Sequence, residues 1–215
     1  DFVIASSHLV EGRDPYNPSF FEGISEEEAY ADYFRTIPAN VKAFSAFHTY
    51  AHLDYVVRYG PHRNERYSYE KYREQLEPAL RLLIESGKAL EVNTGGYRYG
   101  LGQPNPHLDV LRAYRELGGE LITIGSDAHA PADVAREFAL LSELLPSLGF
   151  AHYAVYKSSV LYAPFPEIFS YWDAFLYLRM AKPSGWNVSD WKRLHGKEKH
   201  SGFCFCVPCE GFVSR

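Results

Sequence analysis

Short apolar runs alternate with longer amphipathic stretches through most of this 215-residue chain. An apolar run of four to eight residues between turn residues is typical of a buried strand, whereas apolar residues spaced three or four apart are typical of a helix. The pattern predicts strands, the second including its exit loop, at residues 1–8, 44–57, 90–93, 121–124 and 153–156. It predicts helices at residues 26–37, 69–86, 108–117 and 132–145.

Capping residues and prolines set the expected helix ends. Ser25 and Glu28 form a capping box, which predicts a helix start at that point. Pro38 is expected to stop this helix, and Pro78 to kink or split the next one. Pro131 is suited to the first turn of the last helix.

The order of these elements predicts the fold class. Strands that alternate with helices form parallel α/β sheets, and in barrels of this kind the chemistry gathers at the carboxyl ends of the strands. Hydrophobic residues make up 46% of the chain, with 17 Tyr and 14 Phe, which is enough to build a substantial core. We expect an α/β domain over residues 1–156 and a separate tail over residues 157–215.

Asp127 and His129 follow the apolar run 121–124 directly, where a strand would open into a loop. Alternation along the chain is expected to place both side chains on the same side. A carboxylate and an imidazole at the mouth of a buried strand suit a divalent metal. The alternative is a turn cap and a solvated imidazole. The same two alternatives apply to His8, at the exit of the first predicted strand.

The second predicted strand carries His48, Tyr50, His52 and Asp54 at a spacing of two, which is expected to place them on one face. Two imidazoles and a carboxylate on one face are typical of a metal site, where a carboxylate fixes the histidine tautomer. Spacing does not rank the two histidines.

The third predicted strand ends at Asn93 and leads into Gly95, Gly96 and Arg98. Glycines permit a ligand to approach the backbone closely, and Arg98 could hold a phosphate. The alternative is a flexible turn with a solvated arginine.

The charge and composition of the chain indicate which kinds of binding partner and which cellular compartment to expect. The net charge is −5 without a Lys/Arg-rich run, which favours neither a nucleic-acid groove nor an anionic membrane surface. No apolar run approaches the roughly 18 residues of a spanning helix. The three cysteines, Cys204, Cys206 and Cys209, all lie in the tail, so a reducing cytoplasm is expected. With His200 they either form a Cys₃His zinc site or belong to a poorly ordered tail.

Several motifs together resemble the histidinol-phosphate phosphatases of the polymerase-and-histidinol-phosphatase (PHP) family. They are Ala-Ser-Ser-His at 5–8, Phe-Phe-Glu-Gly at 20–23, Ala-His-Leu-Asp-Tyr at 51–55, Arg-Tyr-Gly at 58–60, Glu-Val-Asn-Thr-Gly-Gly at 91–96 and Gly-Ser-Asp-Ala-His at 125–129. The resemblance covers residues 1–156. It implies an incomplete, distorted (β/α)7 barrel that lacks its first strands, because the family's His-x-His pair and bridging Glu are expected upstream of residue 1.

The resemblance also implies a set of site residues. His8, His52, Asp127 and His129 fall on family metal ligands for up to three divalent ions (Zn, Mn or Fe), and Asp127 and His129 serve catalysis as well. Asn93 and Arg98 fall in the segment expected to face the substrate. His48 stands beside a family ligand and is expected to be structural or to support a ligand.

The implied reaction is hydrolysis of L-histidinol phosphate, a small-molecule phosphate ester of histidine biosynthesis, by a metal-bound hydroxide. Two alternatives stay open: a catalytically silent metal-binding fragment, and a PHP phosphoesterase acting on another substrate such as DNA. Since half of the family ligands would lie upstream, we expect this chain by itself to release little phosphate. The sequence does not indicate the oligomeric state.

Overall fold

The computed structural model describes residues 2–157 and 159–164, with side chains over residues 2–156. Its centre is a four-stranded parallel sheet in which each strand pairs with the next one along the chain. The strands are β1 (Ile4–Ala5), β2 (Thr49–Tyr50), β3 (Ala89–Asn93) and β4 (Ile122–Gly125). In register, Ile4 lies opposite Thr49, Thr49 opposite Ala89, and Leu90 opposite Ile122. The fold is therefore α/β with a parallel, barrel-like sheet, as predicted.

In the described part of the chain, five α-helices follow the strands or connect them. They are α1 (Glu26–Ala43), α2 (Arg73–Glu85), α3 (Gly95–Arg98), α4 (Leu108–Glu116) and α5 (Phe138–Ser147). Single turns of 3₁₀ helix lie at Pro18–Phe21, Tyr55–Arg58, Arg63–Arg66, Glu70–Tyr72 and Pro131–Asp133. No helix of the described residues combines the length and the apolar character that crossing a bilayer requires.

The core lies between the sheet and the helices that cover it. The inner face of α1 contributes residues with essentially no exposed surface, and α2 packs against α1. The buried residues of these two helices are Ala29, Tyr30, Ala31, Tyr33, Phe34, Ile37, Val41, Leu76, Ala79, Leu80 and Leu83. Burial of so many large side chains is the main stabilising contribution to the fold, and it fixes the strand ends relative to one another.

The first two strands are shorter than predicted. In each of these strands only two residues are hydrogen-bonded into the sheet. The loops of the site begin directly after them. The chain leaves the extended conformation at His52, whose φ of 28° lies outside the β region. The prediction that His48, Tyr50, His52 and Asp54 share one face is therefore wrong, because strict alternation requires an uninterrupted strand.

Two prolines interrupt their helices less than predicted. The capping box of Ser25 and Glu28 is present, but α1 continues through Pro38 to Ala43. The extra turn is retained because it buries Val41, and because the Asn40 amide donates to Ser7 Oγ at 2.7 Å. Likewise, Pro78 does not split α2.

The last predicted helix begins later than expected. Pro131 starts only a 3₁₀ turn, and α5 begins at Phe138. Between them Ala135 and Glu137 have positive φ values of 56° and 61°, which interrupt a right-handed helix.

A β-hairpin follows α5. Its strands are β5 (His152–Lys157), which lies beside β4, and β6 (Ser159–Pro164), which pairs antiparallel with β5. The predicted domain boundary at residues 156 and 157 falls within this hairpin, and the division into domain and tail stays a prediction. Cys204, Cys206, Cys209 and His200 lie outside the described residues.

Candidate active site

The loops after β1, β2 and β4 meet at the carboxyl end of the sheet and bring three of the predicted ligands together. The imidazole rings of His8 and His52 have centroids 5.1 Å apart. Asp127 acts electrostatically on both rings, favouring their charged forms. Parallel pairing of β1, β2, β3 and β4 produces this convergence, because it places all four strand exits at one rim.

His52 is the most enclosed of the predicted ligands. It is 1% exposed, and within residues 2–156 its Nδ1 atom has no hydrogen-bond partner. Burial, followed by the positive charge of Arg58, lowers the pKa of His52 to about 3. The imidazole is therefore neutral at pH 7 and keeps a lone pair, which is the form that binds a metal.

His8 shares this environment with less burial. Its pKa is also lowered, chiefly by burial, although Asp14 and Asp127 oppose the shift. Tyr55 packs against both imidazoles, at 4.7 Å from the His8 ring and 5.3 Å from the His52 ring. The Tyr55 hydroxyl donates to Asp14 Oδ1 at 3.2 Å, which fixes the tyrosine below the pair.

Asp127 forms a buried ion pair that the sequence analysis missed. Arg58 Nη1 donates to Asp127 Oδ2 at 2.5 Å, and the two side chains are 1% and 8% exposed. Burial would raise the pKa of Asp127, but the charge of Arg58 and the neighbouring His52 lower it below its usual value. Arg58 Nη2 has no partner in the described part of the chain. The Arg-Tyr-Gly motif at 58–60 was the available sequence signal, but it assigns Arg58 no role.

The backbone at Asp127 differs from the strand geometry expected from alternation. Its φ of 50° lies in the left-handed region, which is costly for a residue with a Cβ atom. Arg98 Nη2 donates to the Asp127 carbonyl oxygen at 2.5 Å and stabilises this turn. Arg98 Nη1 also lies 3.8 Å from Asp133 Oδ2. A role of Arg98 toward substrate stays a prediction.

His129 is exposed and lies at the edge of the site. Its Nδ1 atom is 2.8 Å from the carbonyl oxygen of Asp127, two residues earlier. A contact with a carbonyl oxygen requires the proton on Nδ1, which leaves the lone pair of a neutral ring on Nε2. The prediction that alternation alone aligns Asp127 and His129 is wrong, because the positive φ of Asp127 turns the chain between them.

His48 lies apart from the other histidines. Its Nδ1 atom accepts a hydrogen bond from the Val3 backbone N–H at 3.0 Å. Its ring packs against Phe2 and Tyr156, with centroids 5.6 and 5.1 Å away. His48 therefore holds β1 and β5 against β2, which agrees with the structural role left open for it.

Glu91 and Asn93 form a buried hydrogen-bonded pair beside His52. Glu91 Oε2 accepts from the His52 backbone N–H at 3.2 Å and from Asn93 Nδ2 at 2.8 Å. Burial raises the pKa of Glu91 to about 7. Asn93 Oδ1 accepts from the Gly95 N–H at 2.8 Å, so both ends of its amide are engaged within the protein. Contact of Asn93 with substrate stays a prediction.

The two glycines after β3 permit close packing of protein against protein. A Cβ atom at Gly96 would lie 2.2 Å from the Gln103 carbonyl oxygen, and one at Gly95 would lie 2.7 Å from Asn93 Oδ1. The alternative of a flexible turn is not supported, since residues Gly95–Arg98 form α3. Close approach of a ligand to these glycines stays a prediction.

The chemical types of these side chains are suited to a divalent metal. Two neutral imidazoles, one with an unpartnered buried nitrogen, and an ionised carboxylate are the ligands that zinc, manganese and iron accept. Within residues 2–156, however, no three His, Cys, Asp or Glu side chains are grouped closely enough to hold an ion by themselves. Metal binding by His8, His52 and Asp127 therefore stays a prediction.

Comparison with protein families and curated sequences agrees with this chemistry. Residues 1–95 match the PHP domain family. The histidinol-phosphatase of Lactococcus lactis subsp. lactis is 35% identical over 133 residues, which cover 60% of this chain and 48% of that protein. The probable histidinol-phosphatase of Thermotoga maritima is 38% identical over 109 residues, 51% of this chain and 44% of that protein. The chain thus spans about half the length of these relatives.

Solved structures show the same fold. The crystal structure of histidinol phosphate phosphatase from Lactococcus lactis subsp. lactis, complexed with Zn, L-histidinol and phosphate, matches with a TM-score of 0.62 at 30% identity. The match covers 75% of this chain and 62% of that one. The putative histidinol phosphatase from Listeria monocytogenes matches with a TM-score of 0.55 at 19% identity, over 65% and 57% of the two chains. The latter likeness supports the fold alone.

Proposed function

We propose, from the match of residues 1–95 to the PHP domain family, that the protein is a metal-dependent phosphomonoester hydrolase acting on L-histidinol phosphate. The observation that carries the proposal is the buried, unpartnered Nδ1 of His52 beside the His8 ring and the Asp127 carboxylate. The Lactococcus lactis phosphatase, with zinc, L-histidinol and phosphate bound, is the relative that suggests the substrate.

His8, His52, Asp127 and His129 would hold the divalent ions, zinc, manganese or iron, up to three in number. Such ions, when bound, neutralise phosphate oxygens and lower the pKa of water toward neutrality. The residues of the chain prepare the site for them. Burial keeps His52 neutral, and the ion pair with Arg58 keeps Asp127 ionised.

Arg58 is the residue best placed to bind the phosphate group. Its side chain is 1% exposed, and Nη2 has no partner among the described residues. A guanidinium in a low-dielectric site binds a phosphate oxygen more strongly than one in water. Arg98, the arginine expected from sequence, donates to the backbone of Asp127 and shapes the loop beside the phosphate.

The proposal also covers pathway and compartment. Hydrolysis of histidinol phosphate is a step of histidine biosynthesis, so the reaction belongs in the cytoplasm, with a small molecule as the partner. The carboxyl-end rim is lined by Asp127 and Glu91 as well as by arginines, which does not favour a nucleic-acid substrate.

Phosphate release from L-histidinol phosphate in the presence of Mn²⁺ tests this function. Manganese is chosen because thiolates outside the described residues would compete more strongly for zinc. The substitutions His52→Ala and Asp127→Asn are each expected to reduce turnover at least 100-fold. His152→Ala, an exposed histidine on β5, is the matched control and should leave turnover unchanged.

Equal turnover well above background by the wild type and the His52→Ala variant would overturn the assignment of the site. Since this chain by itself is expected to release little phosphate, metal binding decides when neither protein shows turnover. Metal binding that depends on His52 without any turnover would instead support a metal-binding protein that is catalytically silent. Isothermal titration with Mn²⁺ on the same proteins separates these two results.

A further inference from the structure

The guanidinium of Arg58 is enclosed between two aromatic rings. Its Cζ atom lies 4.5 Å from the centroid of the Tyr99 ring and 5.6 Å from that of Tyr55. Ring contacts of this kind hold a planar cation by its faces. They do not decide how the cation is rotated within its own plane, so other contacts must set the direction of each nitrogen.

Two hydrogen bonds set that rotation. Arg58 Nε donates to Asn105 Oδ1 at 2.8 Å, and Nη1 donates to Asp127 Oδ2 at 2.5 Å. The guanidinium is planar and rigid, so fixing two of its nitrogens, Nε and Nη1, also fixes the direction of the third, Nη2. Nη2 is the nitrogen without a partner among the described residues, and its direction is therefore a consequence of the contacts at the other two.

Asn105 can serve as a fixed point only if its amide cannot turn over. Its Nδ2 donates to Asp54 Oδ1 at 2.7 Å, and its backbone pairs with Asn93 through bonds of 2.7 and 2.9 Å. A flipped amide would direct Nδ2 at Arg58 Nε and Oδ1 at the Asp54 carboxylate. Two donors or two acceptors facing each other in a buried site are strongly unfavourable, so Asp54 decides the orientation of Asn105.

Asp54 is itself fixed. It is 1% exposed, and its second oxygen accepts from the His107 backbone N–H at 2.7 Å. Arg58 links Asn105, and through it Asp54, to the Asp127 carboxylate. The polar chain Asp54–Asn105–Arg58–Asp127 joins three loops of the rim through contacts of 2.5 to 2.8 Å.

We propose that Asp54 and Asn105 are positioning residues that orient the guanidinium of Arg58 so that Nη2 faces the phosphate of the substrate. This inference rests on the proposed function, in which Arg58 binds that phosphate. Neither residue touches the reacting atoms, and both act through Arg58. From the sequence, Asp54 was expected on a metal-binding face, and Asn105 had no predicted role.

Two variants of the full chain test the proposal. Asn105→Ala removes both contacts of the amide. The exchange Asp54→Asn/Asn105→Asp restores them, because the new amide donates to the new carboxylate and accepts from His107 N–H, while that carboxylate accepts from Arg58 Nε. The exchange keeps the number of charges and the side-chain volumes, so a matched control is needed for a role limited to filling space. Asn105→Leu keeps a side chain of similar size and branching but removes both hydrogen bonds. A space-filling role predicts that it behaves as the wild type, whereas positioning predicts that it behaves as Asn105→Ala and that only the exchange variant is rescued.

The first measurement is the hydrogen exchange of the Arg58 Nε–H, followed by ¹⁵N NMR and assigned by its loss in Arg58→Lys. We expect exchange at least tenfold faster in Asn105→Ala and a return toward the wild-type rate in the exchange variant. The second measurement is titration with inorganic phosphate in the presence of Mn²⁺. We expect binding about tenfold weaker in Asn105→Ala, the loss that follows from one misplaced charge-assisted bond, and rescue to within about twofold.

A folded Asn105→Ala protein with unchanged Nε–H exchange and unchanged phosphate affinity would overturn the positioning role alone. If Asn105→Ala does not fold, the exchange variant decides, and a folded exchange variant that has lost both properties overturns the proposal. Failure of the wild type to bind phosphate in the presence of Mn²⁺ counts against the proposed function itself.

Discussion

At the residue scale, the rim of the sheet concentrates ionisable groups whose environments differ. His52 is held neutral by burial, Asp127 is held ionised by Arg58, and Glu91 is buried without a cation in direct contact. Groups with oppositely shifted pKa values in one depression are typical of sites that bind metals or transfer protons. The candidate site is therefore distinguished by its electrostatics as well as by its residue types.

Glu91 gives a measurable pH dependence of stability. Burial raises its pKa from 4.5 to about 7, so between these values the folded protein retains a proton that the unfolded chain releases. Stability contributed by the protonated acid is complete below about pH 4.5 and is lost as pH rises through about 7. The loss is of the order of 3 kcal/mol. Urea unfolding with a chelator, from pH 4.5 to 8, should show this slope in the wild type and a flatter profile in Glu91→Gln.

The substitution Glu116→Gln, at an exposed carboxylate of α4, is the control and should retain the wild-type slope. An equal slope in the wild type and Glu91→Gln would show that another group causes the pH dependence.

At the scale of elements, some helix ends are set by neighbouring residues in the sequence and others by contacts with distant residues. The start of α1 is a local matter, since Ser25 and Glu28 satisfy each other's backbone N–H groups. Its end is not local, because Val41 packs into the core beyond the proline that was expected to stop it. The glycines of α3 also reflect a long-range contact, because a Cβ atom at Gly96 would clash with the backbone of the loop at residues 103–105.

The N-terminal cap of α1 is expected to contribute about 1 kcal/mol to folding. Ser25→Ala removes the acceptor for the Glu28 backbone N–H and should lower the unfolding free energy by that amount in urea titrations. Ser147→Ala, at the opposite end of a helix, should change it by less than about 0.5 kcal/mol. A loss from Ser25→Ala no larger than that of the control would contradict the importance of the cap.

Gly96 is expected to tolerate no side chain. The added Cβ of Gly96→Ala would lie 2.2 Å from a backbone oxygen, and backbone on both sides prevents it from moving away. We expect a loss of more than about 3 kcal/mol, as for severe overpacking. Gly102→Ala is the control, because its positive φ of 68° costs only about 1–2 kcal/mol and no atom lies within 4 Å. Thermal unfolding of both variants checks the order, and similar losses would contradict it.

At the scale of the whole molecule, the sheet is what makes a site from dispersed residues. Four strands in parallel order bring loops that are up to 120 positions apart to one rim, and helices α1 and α2 bury the sheet beneath them. A metal bound by residues from several of these loops would cross-link parts of the chain that are far apart in the sequence. Metal binding is therefore expected to stabilise the entire domain.

Mn²⁺ at about 100 times its dissociation constant should stabilise the folded chain by about 2.7 kcal/mol. For a protein of this size, such a change raises the melting temperature by several degrees, at roughly 2–4 °C per kcal/mol. Differential scanning fluorimetry should show this shift in the wild type and in His152→Ala, and EDTA should reverse it. A full shift in His52→Ala would exclude His52 as a ligand.

The sequence by itself determined the α/β class, the presence of the strands, the start of α1 and the likeness to the PHP domain family, because these depend on periodicity, local capping and short motifs. The sequence offered His8, His52, Asp127 and His129 as ligands through their positions and the family motifs, and their binding of a metal stays a prediction. The tertiary structure decided the role of Arg58, the length of α1 and the geometry at Asp127. These depend on burial and on contacts between residues 29 to 69 positions apart, which no periodicity in the sequence records.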